Sequence, residues 1–524
     1  MHDDETSSLG NADAALSARN AAARPLLSAS FMKTTRSAAV VGIGGILFFA
    51  LAAAGAVAAC SDEDSGDPAT PVPEGGTNTT DAPVRPDAPS GDTGSPDSGD
   101  PNDGFTDAEW TIIKTLGPLP AVPKDPTNKY ADNANAAALG QMLFFDKSYS
   151  GALVVGDDGT NGGLGAAADT GKVACASCHI GAALVDTRSK PGNVSLGTDF
   201  GTRNALAVVN SSYYPWTNWG GRFDSQWSLP PAVAENAKIM ASTRLKVAHM
   251  IWNKYKTEYE AIFGALDPAL DANAADAARF PATGKPKALP GDPDGPWEMM
   301  AAADRTIVNT IFANYGKAIQ AYQRKLVSGN APLDKYIAGD RTALSASAKN
   351  GLRIFIGAGG CTGCHSGPTL SDGAFHALGV PQTGPKVPAT DLGRHQDVPA
   401  LLASPFNTSG AFSDDTTTGK LTGLAQVDSQ RGQFRTPTLR NVALSAPYMH
   451  SGQHTKLPDV IDFYATRGAD AGVDAGDAGD AGINIDPLFK PFALGATGAA
   501  DLEAFLKALT GDPLPAALTT DVSK

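Results

Sequence analysis

Two short clusters of cysteine and histidine carry the most distinctive chemistry of this chain. Both follow the pattern Cys-x-x-Cys-His, at Cys175-Ala-Ser-Cys178-His179 and at Cys361-Thr-Gly-Cys364-His365. This spacing is typical of c-type haem attachment, because two thiols one turn apart reach the two vinyl groups of one porphyrin and the next imidazole meets the iron. The two copies predict two covalently bound haems, with His179 and His365 as their proximal ligands.

Other uses of a Cys-x-x-Cys pair are a zinc site and a thioredoxin-like redox pair. The chain has five cysteines and eight histidines in 524 residues. At that composition, one accidental Cys-x-x-Cys-His is expected on the order of once in a thousand such chains. Zinc would need four ligands closed into one tetrahedron, so the repeated trailing histidine favours haem. The fifth cysteine, Cys60, leaves no pair for a structural disulfide.

The charge of the chain bears on its partners. A formal net charge of −14 argues against nucleic acid, because phosphate binding requires clustered Lys and Arg. A basic or neutral electron donor fits this charge better.

The N-terminal part predicts an exported, tethered protein. Residues 1–59 are a predicted signal sequence with an over-extended start, because Met32-Lys-Thr-Thr-Arg36 resembles a basic n-region and an uncharged run leads to Cys60. The residues before Cys60 resemble a lipoprotein cleavage box, and the alternative is an uncleaved signal anchor. Residues 60–104 are then a lipidated, disordered linker rich in Asp, Pro, Gly and Ser. We expect a lipid anchor through Cys60 in the bacterial periplasm or cell envelope, where c-type haem is installed.

The rest of the chain predicts helices that position the two clusters. Residues 138–146 have helical spacing and lead into the first cluster, and residues 304–326 form the most regular amphipathic pattern. The Asp-Ala-Gly repeat at residues 470–480 predicts a solvated loop rather than a calcium site, because it lacks EF-hand spacing. No alternation indicates a large sheet, so the predicted class is mainly α.

Several motifs together resemble the bacterial dihaem cytochrome c peroxidase family and its tyrosine-ligated, MauG-like branch. Apart from the clusters themselves, they are residues 139–146, 201–204, 218–222, 365–368, 391–394, 434–441 and 446–452. The resemblance implies two cytochrome c-like haem domains packed together. We expect an N-terminal, peroxidatic domain at residues 105–303 and a C-terminal, electron-transfer domain at residues 304–515.

The resemblance also implies what each domain does. The N-terminal haem would react with hydrogen peroxide and the C-terminal haem would relay electrons to it, with Trp219 between them. The donor would be a small c-type cytochrome or a cupredoxin. Members of this family often form homodimers, although the sequence contains no interface signature.

The distal sides of the haems depart from most of the family. There is no histidine between His179 and His249, and the position of the usual distal histidine, seven residues before Arg203, is Leu196. The resemblance therefore implies an open sixth position at the first haem. At the second haem the family's ligand position is Tyr464, which implies a phenolate oxygen that stabilises oxidised iron. The alternative is a tyrosine that only packs at the haem edge.

Acid–base residues of the family pocket are also replaced. The family's Gln and Glu fall on Leu229 and Ile239, which cannot transfer a proton in peroxide cleavage. Glu235 lies one helical turn from Ile239 and is the candidate substitute, the alternative being a surface carboxylate. We therefore expect slow or altered peroxidase turnover.

A calcium ion between the domains is a further implication of the resemblance. Asn204 matches the family's side-chain ligand, and Ser445 and Pro447 fall at its carbonyl positions. His376 and His450 match recurring family histidines and are not assigned as ligands.

Three functions remain open at this stage. The first is peroxide reduction, and a MauG-like alternative is oxidation of a residue on a partner protein by a high-valent haem pair. The second is a non-catalytic dihaem electron carrier. The third is oxygen-dependent cleavage of a hydrophobic substrate.

Overall fold

The computed structural model describes residue 100 and residues 102–157, 164–188, 193–466 and 482–524. The chain divides into two units, Met1–Thr93 and Gly94–Lys524, and all described residues belong to the second. The predicted signal sequence, Cys60, most of the linker and the Asp-Ala-Gly repeat lie outside the described residues. Among the helices of the described part, none is both long and apolar enough to cross a bilayer.

Helices dominate the described part, which confirms the predicted mainly α class. We number them in chain order: α1 Asp107–Ile113, α2 Ala134–Phe145, α3 Cys175–Cys178, α4 Leu229–Glu235, α5 Arg244–Phe263, α6 Pro296–Met299, α7 Ala302–Gln323, α8 Pro332–Ile337, α9 Ala346–Ile356, α10 Arg394–Ala403, α11 Leu457–Thr466 and α12 Gly498–Lys507. Two short antiparallel strands, β1 Phe375–Ala377 and β2 Gln433–Arg435, pair with Phe375 opposite Arg435.

The first hydrophobic core forms around α2, α5 and α7. Gly140 of α2 lies against the carbonyl oxygen of Ala318 in α7, and a Cβ at residue 140 would lie only 1.9 Å from that oxygen. Glycine therefore permits the close crossing of the two helices. The apolar residues that predicted α7 are buried in this core: Val308, Ile311, Phe312, Tyr315, Ile319 and Tyr322.

The second hydrophobic core forms around α1, α8, α9 and α12. Gly351 of α9 meets the carbonyl oxygen of Asp501 in α12 in the same way, with a Cβ position 2.0 Å from that oxygen. Phe105 and Trp110 of the first described segment pack in this core beside Tyr336. Each core thus contains one helix that precedes a Cys-x-x-Cys-His cluster and one later helix that crosses it closely.

This packing differs from the predicted domain boundaries. The helix α7 completes the first core, whereas the predicted boundary between residues 303 and 304 assigned it to the second domain. Residues 105–116 were assigned to the first domain and instead pack in the second core. Amphipathic periodicity shows that a helix has a buried face, but it does not show which core that face meets.

Candidate functional site

The first attachment loop holds His179 in a defined orientation. The backbone N–H of His179 donates to the carbonyl of Cys175 (3.0 Å), and its Nδ1–H donates to the carbonyl of Leu184 (3.0 Å). Leu184 adopts a φ of 52°, and its N–H donates to the carbonyl of Gly181. Because Nδ1 is used, Nε2 keeps its lone pair for iron, as expected of a haem ligand.

The second attachment loop repeats this arrangement. The Nδ1–H of His365 donates to the carbonyl of Leu370 (3.0 Å), Leu370 also has a φ of 52°, and its N–H donates to the carbonyl of Gly367. Burial lowers the pKa of both imidazoles, His179 and His365. Both are therefore neutral at physiological pH, which is the form that binds iron.

A large cavity opens beside the second loop. His365, Tyr464 and Trp219 all line its wall, together with both cysteines of the loop. Tyr464 is a half-buried residue of α11, and burial raises the pKa of its phenol. Among the described residues, no group forms a hydrogen bond with its hydroxyl. The structure thus brings the predicted oxygen ligand into the same cavity as the predicted proximal histidine.

Arg435 shows that this cavity suits an anionic group. Its side chain is buried, lines the cavity and stacks 3.5 Å over the ring of Tyr214. One amino group donates to the carbonyl of Thr436, whereas its Nε–H has no partner among the described residues. A buried guanidinium without a carboxylate partner is costly, and a haem propionate would pair with it. The residues of the second site therefore fit a haem.

Trp219 is held at the cavity wall by a main-chain contact. Its indole Nε1–H donates to the carbonyl of Asn204 (2.7 Å), and its ring meets His450 edge to face with centroids 6.3 Å apart. His450 is buried, stacks on Phe434 at 3.8 Å and accepts a hydrogen bond from Gln382 (2.6 Å). These aromatic rings form one cluster against the second site.

The turn that carries Trp219 has a counterpart that carries His450. Residues 217 and 223 are bridged in the first turn, as are residues 448 and 454 in the second. The residue before each ring, Asn218 or Met449, has a positive φ of 68° or 67°. A glycine with nearly the same positive φ follows in each turn, Gly221 at 67° and Gly452 at 68°. The two turns thus share the spacing of their bridges and the positions of their positive φ angles, and they differ in the side chains they present.

Each of these turns, residues 217–223 and 448–454, accepts a main-chain hydrogen bond from the segment that precedes the other turn in sequence. The N–H of Asn204 donates to the carbonyl of His450 (2.7 Å), and the N–H of Arg435 donates to the carbonyl of Trp219 (2.7 Å). Each half of the molecule thus contributes one donor and one acceptor. The two residues whose carbonyls accept these bonds, Trp219 and His450, are also the two whose rings contact each other.

A buried ionic network lies beside the interface. Arg203 makes two hydrogen bonds to Asp391, at 2.6 and 2.7 Å, and a third to Asp397 at 2.7 Å. Its guanidinium also lies 5.3 Å from the ring centre of Phe434. The network connects Arg203, the residue before Asn204, to Asp391, which precedes α10, and to Asp397 within α10.

Leu196 lies beside the first attachment loop. It is buried, packs with Val194 and Phe200, and its carbonyl oxygen is 3.5 Å from the Sγ of Cys178. Its side chain offers no donor atom to iron. Leu229 and Ile239, to which the resemblance assigns the family's Gln and Glu positions, are both half-buried.

Glu235 is not placed as a proton donor would be. Its Oε1 accepts from the backbone N–H and the Nε–H of Arg244, and its Oε2 accepts from an amino group of the same arginine at 2.7 Å. Both carboxylate oxygens are therefore occupied at the start of α5. The geometry gives no support to the catalytic role suggested for this residue, because a proton donor must be free to reach its substrate.

Two of the three predicted calcium ligands meet. The side-chain nitrogen of Asn204 lies 3.3 Å from the carbonyl of Pro447, and its oxygen accepts from Ser195 Oγ. Calcium would need the amide oxygen to face Pro447, which requires the amide to be flipped. The hydroxyl of Ser445 donates within its own turn, to Val442.

One group of residues near the second loop was not predicted as a unit. Both ring nitrogens of His376 donate to carboxylates, Nδ1 to Asp486 at 2.6 Å and Nε2 to Asp372 at 2.8 Å. Hydrogen bonds to Cys364 and to these two carboxylates raise the pKa of His376 to about 10. The sequence contains no signal for this group, because Asp486 is more than a hundred residues from His376 along the chain.

Comparison with known proteins shows which family and which fold this chain is similar to. Residues 134–342 match the family model for di-haem cytochrome c peroxidase. The chain is 29% identical over 417 residues to cytochrome-c peroxidase IdrP1 of Pseudomonas sp. (strain SCT), covering 76% of this chain and 86% of the relative. It is 32% identical over 196 residues to methylamine utilization protein MauG of Methylorubrum extorquens, covering 37% and 44%. Its fold is similar to that of the diheme peroxidase BthA from Burkholderia thailandensis E264, with a TM-score of 0.52 and 21% identity over 78% of this chain and 96% of that one.

Proposed function

The chain belongs to the di-haem cytochrome c peroxidase family, and from this premise we propose that it reduces hydrogen peroxide at its first haem with electrons delivered through its second. Relatives that are cytochrome-c peroxidases identify it as a peroxidase-like oxidoreductase with c-type haem. The observation that carries the finer proposal is the single cavity in which His365, Tyr464 and Trp219 meet. The second attachment loop forms part of the wall of this cavity. Trp219 forms another part, and its indole N–H donates to the carbonyl of Asn204.

The assigned roles follow from what each side chain offers. When bound, the two haems supply redox-active iron, one reacting with peroxide and the other exchanging electrons. His179 and His365 would hold the two haems through Nε2, because backbone carbonyls hold their Nδ1–H groups. Leu196, whose side chain has no donor atom, would offer no ligand to the first haem. Tyr464 would offer its phenol oxygen to the second.

Trp219 supports electron exchange between the two sites. Its ring lines the second cavity, and its Nε1–H bond to Asn204 fixes the ring at the boundary of the two halves. We assign it as the relay, since an indole can lose and regain an electron without a change of position. The donor to the second haem would be a small c-type cytochrome or a cupredoxin.

Proton supply limits the rate in this proposal. Reduction of one peroxide to two waters consumes two electrons and two protons. Neither Leu229 nor Ile239 can transfer a proton, and Glu235 is occupied by Arg244. We therefore propose that water molecules donate the protons. Turnover should then be slower than in an enzyme with a carboxylate in the pocket.

The same features favour a second candidate, a MauG-like oxidation of a residue on a partner protein. A phenolate oxygen from Tyr464 would lower the potential of the second haem and would suit that haem to share oxidising equivalents. Tyr464 in the cavity is the specific observation in its favour. Rapid reaction with peroxide but no oxidation of reduced small cytochromes or cupredoxins would select this candidate.

The proposal also includes a calcium site and a cellular location. The proximity of Asn204 and Pro447 supports a Ca²⁺ site that uses the carbonyl of Ser445 as well. We also propose a location in the bacterial periplasm or envelope with an anchor at Cys60, because covalent haem attachment takes place there.

The test compares two tyrosines of one cavity in the intact holoprotein. Tyr464→Phe removes the proposed oxygen ligand, and Tyr448→Phe is the matched control because Tyr448 lines the same cavity. We expect electron paramagnetic resonance of the oxidised protein to show a changed second haem in the first variant alone. Stopped-flow spectra of the wild type should change rapidly with one equivalent of peroxide, without prior reduction. A first haem that is wholly low-spin and inert to peroxide would refute the proposal.

A further inference from the structure

We propose that Asp372, His376 and Asp486 act together as positioning residues for Tyr464, by tying the segment that packs on Tyr464 to the second attachment loop. This inference rests on the proposed oxygen ligation of the second haem. It adds a set of hydrogen bonds that fixes the position of the Tyr464 oxygen.

The first group of these hydrogen bonds joins His376 to the second attachment loop. The N–H of Asp372 donates to the carbonyl of Cys364 (2.8 Å), so its backbone is fixed to the Cys-x-x-Cys-His cluster. Its Oδ2 accepts from the Nε2–H of His376, and its Oδ1 accepts from the N–H of Ala374. The imidazole, which belongs to β1, therefore has a fixed position relative to the loop that attaches the haem.

The second group of hydrogen bonds joins His376 to residues 486–492. The Nδ1–H of His376 donates to Oδ2 of Asp486, whose N–H donates back to the carbonyl of Ala377 (2.9 Å). The other carboxylate oxygen of Asp486 accepts from the N–H of Leu488. One imidazole thus bridges two carboxylates that lie on opposite sides of it. Because both ring nitrogens donate, the bridge requires the protonated imidazole.

Residues 486–492 in turn contact Tyr464 and the helix that carries it. The ring of Phe489 packs edge to face on Tyr464, with centroids 5.5 Å apart, and stacks on Phe463 at 5.4 Å. The N–H of Phe492 donates to the carbonyl of Ala465, the residue after Tyr464. The segment therefore contacts the tyrosine by a ring on one side and holds its helix by a main-chain bond.

The combined path runs from Cys364 through His376 to the ring beside Tyr464. Every member lies in or next to the cavity, since Cys364, His376, Asp486 and Phe489 line it. A displacement of residues 486–492 would change the support of Tyr464 without touching the tyrosine itself. The acidic pair and the imidazole thus set the position of the oxygen relative to the attached haem.

The experiment uses the full-length holoprotein and three variants with full haem content. Asp486→Asn removes the charge of the bridge, and Asp486→Glu keeps it. Asp462→Asn is the matched control, because Asp462 lies on the helix of Tyr464 with its side chain exposed. The measurements are the spin states of the second haem by electron paramagnetic resonance, its midpoint potential, and hydrogen exchange of the backbone amides within residues 488–492, of which Pro491 has none.

We expect Asp486→Asn to raise the exchange rates of residues 488–492 at least tenfold, to increase the high-spin share of the second haem and to raise its potential. Asp486→Glu should restore most of each value, and Asp462→Asn should match the wild type. If Asp486→Asn fails to incorporate haem, His376→Gln takes its place with the same expectation. Unchanged exchange and spin states in both variants, or an equal change in Asp462→Asn, would overturn the inference.

A separate result identifies failure of the proposed function. If Tyr464→Phe leaves the spectrum of the second haem unchanged, Tyr464 is not its ligand and the oxygen-ligation part of the proposed function fails. The tie between the two segments is then judged by hydrogen exchange alone. Wild-type exchange rates in Asp486→Asn would refute the tie.

Discussion

Replacement of Arg203 by glutamine is the sharpest test of how the two halves are held together. Arg203 forms three hydrogen bonds of 2.6–2.7 Å to Asp391 and Asp397. The exposed fractions of these three side chains are 9%, 2% and 7%, so water contributes little to their solvation. Glutamine keeps part of the volume and removes the charge. Two buried carboxylates then lose their shared counter-ion.

The size of the effect follows from burial. Removal of one partner from a buried ion pair destabilises a protein by about 3–5 kcal/mol, because the remaining charge stays desolvated. Each hydrogen bond to a charged group contributes about 1.5–3 kcal/mol, which is consistent with that range for three bonds that rearrange in part. We therefore expect the free energy of unfolding to fall by about 3–5 kcal/mol.

The assay is guanidinium unfolding of the holoprotein, followed by circular dichroism. With a slope of roughly 4 kcal/mol per molar, the midpoint should fall by about 1 M. Arg431→Gln is the matched control, because its partner Asp428 is 86% exposed. Exposed pairs contribute about 0–1 kcal/mol. Equal, small shifts in both variants would refute the reasoning.

The pH dependence provides a second check on the same variant. Burial opposes ionisation of Asp391, but the hydrogen bonds and charge of Arg203 lower its pKa overall. A lowered pKa stabilises the fold above the ordinary value of about 3.9, and this stabilisation is lost as the pH falls through the lowered pKa. The difference between wild type and Arg203→Gln should therefore be largest at neutral pH and shrink below about pH 4. A difference that grows in acid would contradict the assignment.

Three further substitutions test separate parts of the molecule. Leu196→His should place an imidazole on the first haem, convert it to low spin in electron paramagnetic resonance and slow its reaction with peroxide; an unchanged high-spin signal would argue against the assigned position. Trp219→Phe keeps an aromatic ring but removes the indole, so electron transfer between the haems after peroxide addition should slow at least tenfold in stopped-flow spectra, and an unchanged rate would exclude the relay. Gly351→Ala puts a Cβ 2.0 Å from the carbonyl oxygen of Asp501. The resulting overpacking should lower the free energy of unfolding by about 1–3 kcal/mol in guanidinium titrations. A neutral effect would show that α9 and α12 separate freely.

Features encoded by short stretches of sequence were predictable. Each attachment cluster lies within five residues, so its chemistry needs no knowledge of the fold. The helix expected at residues 304–326 is present as α7, Ala302–Gln323, because its apolar spacing has the period of a helix. The resemblance of the motifs to the dihaem peroxidase family is confirmed by the family match and by the relatives.

Features that depend on contacts between distant residues were not predictable. The bridge between Asp372, His376 and Asp486 forms because β1 lies beside a segment more than a hundred residues later in the chain. Glu235 was a plausible proton donor by its spacing from Ile239, but Arg244 occupies its carboxylate. The core to which α7 belongs depends on its crossing with α2, which the pattern of α7 alone does not indicate.

The main-chain hydrogen bonds accepted by Trp219 and His450 have a consequence for how such a protein can change over time. Because these two bonds use only main-chain atoms, substitution of either residue keeps their donors and acceptors, whereas it removes contacts of the ring itself, such as the indole bond of Trp219 to Asn204. The main-chain connection at residues 219 and 450 therefore does not depend on which side chains these positions carry. Selection on reaction speed and selection on folding then act on different atoms of the same turn.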